Sequence, residues 1–80
     1  VNLYPNPADE ELNVSFQAIN NEKMTIVLTD LTGKIIQTNI IQANEGENLV
    51  MLNTSDFAKG VYFVNLISGT SRTTLQFVKK

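Results

Sequence analysis

The side chains able to do chemistry in this sequence are few, and nearly all of them offer oxygen. There is no histidine and no cysteine. Without an imidazole the chain lacks the usual base near neutral pH and cannot build a Ser-His-Asp or Cys-His site. A metal site would need oxygen ligands alone, which disfavours zinc and copper. Asp9, Glu10 and Glu11 form a short acidic run, and calcium takes several such oxygens. The spaced-aspartate pattern of a calcium loop is absent, so the run reads as a solvated loop whose charges guard an edge strand. Asp30, Thr32 and Gly33 superficially suggest an aspartic-protease triplet, but Leu31 interrupts it and a turn accounts for all four residues. Asn13-Val14-Ser15 and Asn53-Thr54-Ser55 match the N-glycosylation acceptor pattern, yet both fall in expected strands and carry little weight. Gly33, Gly46, Gly60 and Gly69 sit at separate turns, so no phosphate-cradling loop is formed. No catalytic, cofactor-binding or metal-binding residue is assigned, no cofactor is expected, and the chain is not read as an enzyme.

The elements that would position these groups are strands. Leu12, Val14 and Phe16 alternate within Glu11–Gln17, the mark of a half-buried strand. Met24, Ile26 and Leu28 do the same within Lys23–Thr29, and Val27 suggests partial cover of the other face. Asp30-Leu31-Thr32-Gly33 then turns the chain. Lys34–Gln42 is rich in isoleucine, and the doublets Ile35-Ile36 and Ile40-Ile41 hint at a bulge or a change of buried face. After a turn at Ala43–Gly46, Glu47–Thr54 forms a strand with Val50, Leu52 and Thr54 inward, and Phe57 follows as a core plug. Val61–Ser68 has Tyr62, Val64 and Leu66 on one face, Ser68-Gly69-Thr70 turns the chain, and Arg72–Lys79 closes it with Leu75 and Phe77 inward. A short extended piece, Val1–Tyr4, is stopped by Pro5 and Pro7, as befits a strand end. The expected fold is therefore all-β, an immunoglobulin-like antiparallel β-sandwich of about seven strands.

Composition agrees with a small globular domain. The 80 residues suit one domain, and a chain of this size buries only about 60–65% of its unfolded surface. With no cysteine it must rely on an apolar core; hydrophobic residues make up 42% of it and charged residues 18%, which argues against disorder. The net charge is −2, and Lys23, Lys34, Lys59, Arg72 and the pair Lys79–Lys80 form no basic stripe, so nucleic acid is not an expected partner. An apolar run such as Val61–Val64, which no other run exceeds, is far short of the ~20 residues of a spanning helix. The chain begins at Val1 rather than at methionine, and the expectation is a single C-terminal domain, residues 1–80, excised from a larger protein.

Three stretches then act together. Leu3-Tyr4-Pro5-Asn6-Pro7 precedes Leu12-Asn13-Val14; Thr29-Asp30-Leu31-Thr32-Gly33-Lys34-Ile35-Ile36 follows; Phe57-Ala58-Lys59-Gly60-Val61-Tyr62-Phe63-Val64 leads to a closing Leu75-Gln76-Phe77-Val78-Lys79-Lys80. In this order and spacing the chain resembles, over essentially its whole length, the type A C-terminal sorting domain of the type IX (Por) secretion system of Bacteroidota. The motif carrying the resemblance includes Tyr4, Pro5, Asn6, Pro7, Gly33 and Lys34. The resemblance implies a seven-stranded immunoglobulin-like sandwich. It also implies a non-catalytic signal that directs an N-terminally fused cargo through the outer-membrane translocon and is removed by a cell-surface sortase. Cleavage would fall upstream of the fold, near Val1 or before it.

On this reading the partners are translocon and sortase components, and the parent is secreted or held at the cell surface after passing the periplasm and outer membrane. Candidate recognition residues are Gly60, Tyr62, Lys79 and Lys80. The last strand is the natural docking edge, because strand pairing supplies main-chain hydrogen bonds without a fixed side-chain sequence. Lys79 and Lys80 are expected to face solvent, where they would serve recognition or edge protection. The domain is expected to be a monomer. The alternative is a carbohydrate- or surface-binding sandwich attached to a secreted enzyme. Such modules display aromatics, whereas Tyr4, Phe16, Phe57, Tyr62, Phe63 and Phe77 are the only ones here, tryptophan is absent, and most of the six fall on expected core faces.

Overall fold

In the computed structural model, residues 1–69 and 71–80 are described; Thr70, the last residue of the expected Ser68–Thr70 turn, lies outside them. Seven strands form: β1 (Asn2–Tyr4), β2 (Glu11–Ala18), β3 (Glu22–Asp30), β4 (Ile35–Ala43), β5 (Gly46–Asn53), β6 (Gly60–Ser68) and β7 (Ser71–Lys79). They make two antiparallel sheets, ordered β1-β2-β5 and β4-β3-β6-β7. The expected sandwich is the fold, and each strand boundary falls within a residue or so of the alternation that marked it. β4 pairs with β3 rather than lying beside β5, so the four-stranded sheet includes a strand that the seven-strand antibody constant domain keeps in the other layer.

The core follows from period two. Leu12, Val14 and Phe16 from β2 face Met24, Ile26 and Leu28 from β3 and Tyr62, Val64 and Leu66 from β6, with Leu52 and Phe77 closing the sides. Removing each such side chain from water is worth about 1.5–3 kcal/mol, and in so small a domain that margin is the fold. Val50, Leu52 and Thr54 do point inward, and Phe57 packs partly buried against the cluster. The isoleucine doublet at the start of β4 lies at an irregularity: Leu28 pairs with Gln37 but Thr29 pairs with Ile35, leaving Ile36 as the extra residue. That bulge exposes Ile35 and Ile36, and the second doublet splits, with Ile40 outward and Ile41 against the core.

Asn65 is a polar residue buried in the middle of the four-stranded sheet. Asn65 is held on its outer face, donating Nδ2 to the Val27 carbonyl at 3.2 Å and accepting the Thr74 hydroxyl at 2.8 Å. Both ends of the amide are thus satisfied, which removes the penalty of burying it.

Candidate functional site

The β3–β4 turn is built by one carboxylate. Asp30 Oδ1 accepts the Thr32 hydroxyl at 2.7 Å and the N–H groups of Thr32 and Lys34 at 2.9 and 3.0 Å. Gly33, at φ +90°, donates its N–H to the Asp30 carbonyl. The Thr32 hydroxyl does most to hold the Asp30 carboxyl below its ordinary range; desolvation opposes it, and the main-chain donors of Lys34 and Thr32 and the Lys34 charge add to the lowering. This is a turn, as expected, and Lys34 is exposed beside it.

β6 opens beside that turn, since Asp30 is opposite Tyr62 in the β3–β6 register. Tyr62 is a core residue. Its ring stacks on Phe77 at 5.5 Å and tilts against Phe57 at 5.1 Å, while its hydroxyl donates to the Ala58 carbonyl at 2.6 Å. That bond ties the Thr54–Gly60 loop down over the end of the sandwich. Gly60, two residues earlier, has φ +155° and open space where a Cβ would stand. Its requirement is conformational and does not come from close packing.

β7 ends against Gly60, with Gly60 opposite Lys79. Here the two chain ends meet. Ala8 N–H donates to the Val78 carbonyl at 2.7 Å and Lys80 N–H to the Ala8 carbonyl at 2.9 Å, a parallel bridge between Ala8 and Lys79. A continued parallel ladder would offer the Val78 N–H the main-chain carbonyl of residue 6. Instead the Asn6 side chain reaches over, accepting it on Oδ1 at 3.1 Å. The same N-terminal segment grips β5, because Thr54 donates its N–H to the Glu10 carbonyl and its hydroxyl to the Asp9 carbonyl.

Lys79 corrects the expectation that both terminal lysines face water. It is only 6% exposed. Alternation puts it on the inner face with Leu75 and Phe77, so its stem lies over the core end and its ammonium emerges 3.9 Å from Asp9 and 3.3 Å from the Lys80 carbonyl. A long aliphatic stem allows this. Lys80 is exposed.

Residues singled out separately in the sequence are thereby gathered at one end of the sandwich, Asn6, Pro7, the Asp30–Lys34 turn, Gly60, Tyr62, Lys79 and Lys80, with Ala8 between the first two and β7. Tyr4 stands apart on β1, exposed, its carbonyl accepting from Asn13 Nδ2. Sequence reasoning missed Asn6 as the cap of β7 and Asp9 as the neighbour of Lys79. The available signal was an asparagine between two prolines, a polar side chain in a segment short of main-chain donors. Among the described residues no group of three or more possible metal-ligand side chains comes together, at the acidic run or elsewhere. Among the described residues no helix is long and apolar enough to cross a membrane.

This end offers a partner little chemistry and much shape: a rim of turns, an exposed lysine and a strand edge that is covered at one end and open beyond it. No curated protein and no solved structure matches the chain. A family model does, that of the secretion system C-terminal sorting domain, over residues 2–80. The match takes in the segment that clamps β7, the Asp30 turn and the Gly60–Tyr62 entry to β6 alike, and the chain belongs to the type IX secretion C-terminal sorting domain family.

Proposed function

We propose that this domain is a folded, non-catalytic signal that directs an N-terminally joined cargo through the type IX outer-membrane translocon, after which a surface sortase removes it. The family match across residues 2–80 carries the reading. Membership marks a sorting signal of a secreted or cell-surface protein; the passage through the periplasm, the translocon contact and the sortase step are the finer parts of the proposal.

The geometry favours reading of the folded form. The N-terminal segment, which would receive the cargo, is hydrogen-bonded to Val78 and Lys80, so an intact end reports a folded domain. The docking surface we assign is the rim formed by Lys80, the Asp30–Lys34 turn and the open part of β7, with Gly60, Tyr62 and Lys79 shaping it from within. A carbohydrate-binding reading lacks its usual platform: among the described residues Tyr4 is the one exposed aromatic.

The test is a periplasmic reporter carrying Val1–Lys80 at its C-terminus in a host with a working type IX system. It should reach the surface, and a version ending before Thr73 should stay in the periplasm. Retention of the intact fusion would overturn the reading.

A further inference from the structure

β2 is longer than the strand that covers it. It runs from Glu11 to Ala18, while β1 pairs only with Asn13, Val14 and Ser15. The direction of its main-chain groups follows from one bond. Thr54 donates its N–H to the Glu10 carbonyl, and these two residues stand one step beyond the Glu11–Asn53 pair of the β2–β5 register. Hydrogen-bonded pairs alternate along an antiparallel ladder, so Leu12, Val14, Phe16 and Ala18 bond to β5. Asn13, Ser15 and Gln17 turn their N–H and C=O the other way, toward β1. Tyr4 stands opposite Asn13 and Asn2 opposite Ser15. Among the described residues none stands opposite Gln17 on that side.

A cleft of about 140 Å³ opens at the same corner, lined by Val1, Phe16, Ala18, Met24, Leu66 and Thr73 among others. Its volume is close to the ~150 Å³ of an apolar cavity that takes up benzene. It lies between the two sheets at the end of the sandwich away from Lys79, where Ser68 is opposite Ser71.

We propose that the polypeptide joining the cargo to Val1 continues β1 along β2 and closes this cleft. That a chain is joined there rests on the sorting reading; where it lies goes beyond it. The β1–β2 register sets the residue immediately before Val1 opposite Gln17, where the two exchange N–H and C=O bonds. Its side chain falls on the outer face with Asn2 and Tyr4, the exposed residues of β1. The second residue before Val1 falls opposite Ala18 and points inward with Leu3, over Phe16, Met24 and Leu66, where an aliphatic side chain fits. The joined chain is the occupant because Val1 already lines the cleft: it arrives in register at high effective concentration, whereas a separate strand would run into Val1. The ladder ends there because β2 ends at Ala18. A sortase that needs an extended, unpaired chain is thereby kept off the bonds next to Val1, and its cut falls beyond the paired residues.

Amide hydrogen exchange tests this on the 80-residue chain and on the same chain lengthened by the three parental residues that precede Val1. Exchange at Gln17, taken relative to Val14, should slow at least about tenfold in the longer chain. The ratio to Val14, which bonds to β5, removes any change in global stability. Proline placed immediately before Val1 deletes the N–H that faces Gln17 and should return Gln17 to the rate of the shorter chain. That proline lies outside the 80-residue fold, so the domain still folds. Equal exchange at Gln17 in the two chains overturns the proposal, and so does protection that survives the proline. Export of the reporter is read separately. Equal exchange with normal export overturns the docked junction and leaves the sorting reading standing; slowed exchange with a reporter held in the periplasm supports the junction and overturns the sorting reading.

Discussion

Asn6 Oδ1 accepts the main-chain N–H of Val78 at 3.1 Å, across 72 positions of sequence. With the Ala8 bridge beside it, this closes the last turn of the β7 edge. Asn6→Ala removes the acceptor and leaves an amide beside water. The expected cost is about 1 kcal/mol, read as a lower urea midpoint with unchanged slope. Amide exchange at Val78 should quicken more than exchange in β2 or β3, because the loss is local. Unchanged protection at Val78 would show that the Ala8 bridge holds the edge alone.

The Asp30 turn carries a pH signature. The Thr32 hydroxyl and the two N–H donors lower the Asp30 pKa from 3.8, so the folded chain binds that proton less readily than the unfolded chain. The contribution is fully present above the unfolded value and is lost as pH falls through the folded one. Asp30→Asn should therefore flatten the stability profile between about pH 5 and about pH 2, measured by denaturation at each pH. A variant that tracks wild type through that window would mean that the bonds do not discriminate between the two forms of the carboxyl.

Much of the fold is legible in the alternation itself. Leu12, Val14 and Phe16 can all be buried only by a strand, and the same holds for Tyr62, Val64 and Leu66. The isoleucine doublets point to a bulge or a change of buried face, because two neighbouring apolar residues cannot share one face of a regular strand; the first sits at a bulge and the second splits between the two faces. Lys79 was not legible, because its charge and its position conflict. Period two places it inward with Phe77, while charge argues for water, and the conflict is resolved by Asp9, seventy positions away. The sheet that takes β4 was equally hidden, since alternation says which face a residue occupies and nothing about the neighbouring strand.

Gly60 opens β6 at φ +155°, with nothing within 4 Å of the place a Cβ would occupy. Gly60→Val meets no steric wall but forces a β-branched residue into backbone that L-residues rarely adopt. We expect a loss of about 1 kcal/mol or more, with Gly60→Ala losing less than valine. Equal stability of the valine variant and wild type in urea would remove the claim.

The terminal lysines separate folding from recognition. Lys80 is exposed, so Lys80→Glu should leave stability within about 0.5 kcal/mol. Lys79→Glu is different. It places a carboxylate in a site 6% exposed and beside Asp9, with desolvation and like-charge repulsion acting together, and should cost more than about 2 kcal/mol. Failed export of that variant would report folding alone. Lys79→Met keeps the stem that covers the core end and leaves Asp9, 65% exposed, to water, so it should fold close to wild type. Fused to the reporter, Lys79→Met should export normally if Lys79 serves the fold, and Lys80→Glu should export poorly if the exposed charge is read. Two variants that fold alike and differ in export would place the recognised charge at Lys80. If both fold and both export normally, neither terminal charge is read, and the contact shifts to the open N–H and C=O groups of β7 or to the Asp30 turn.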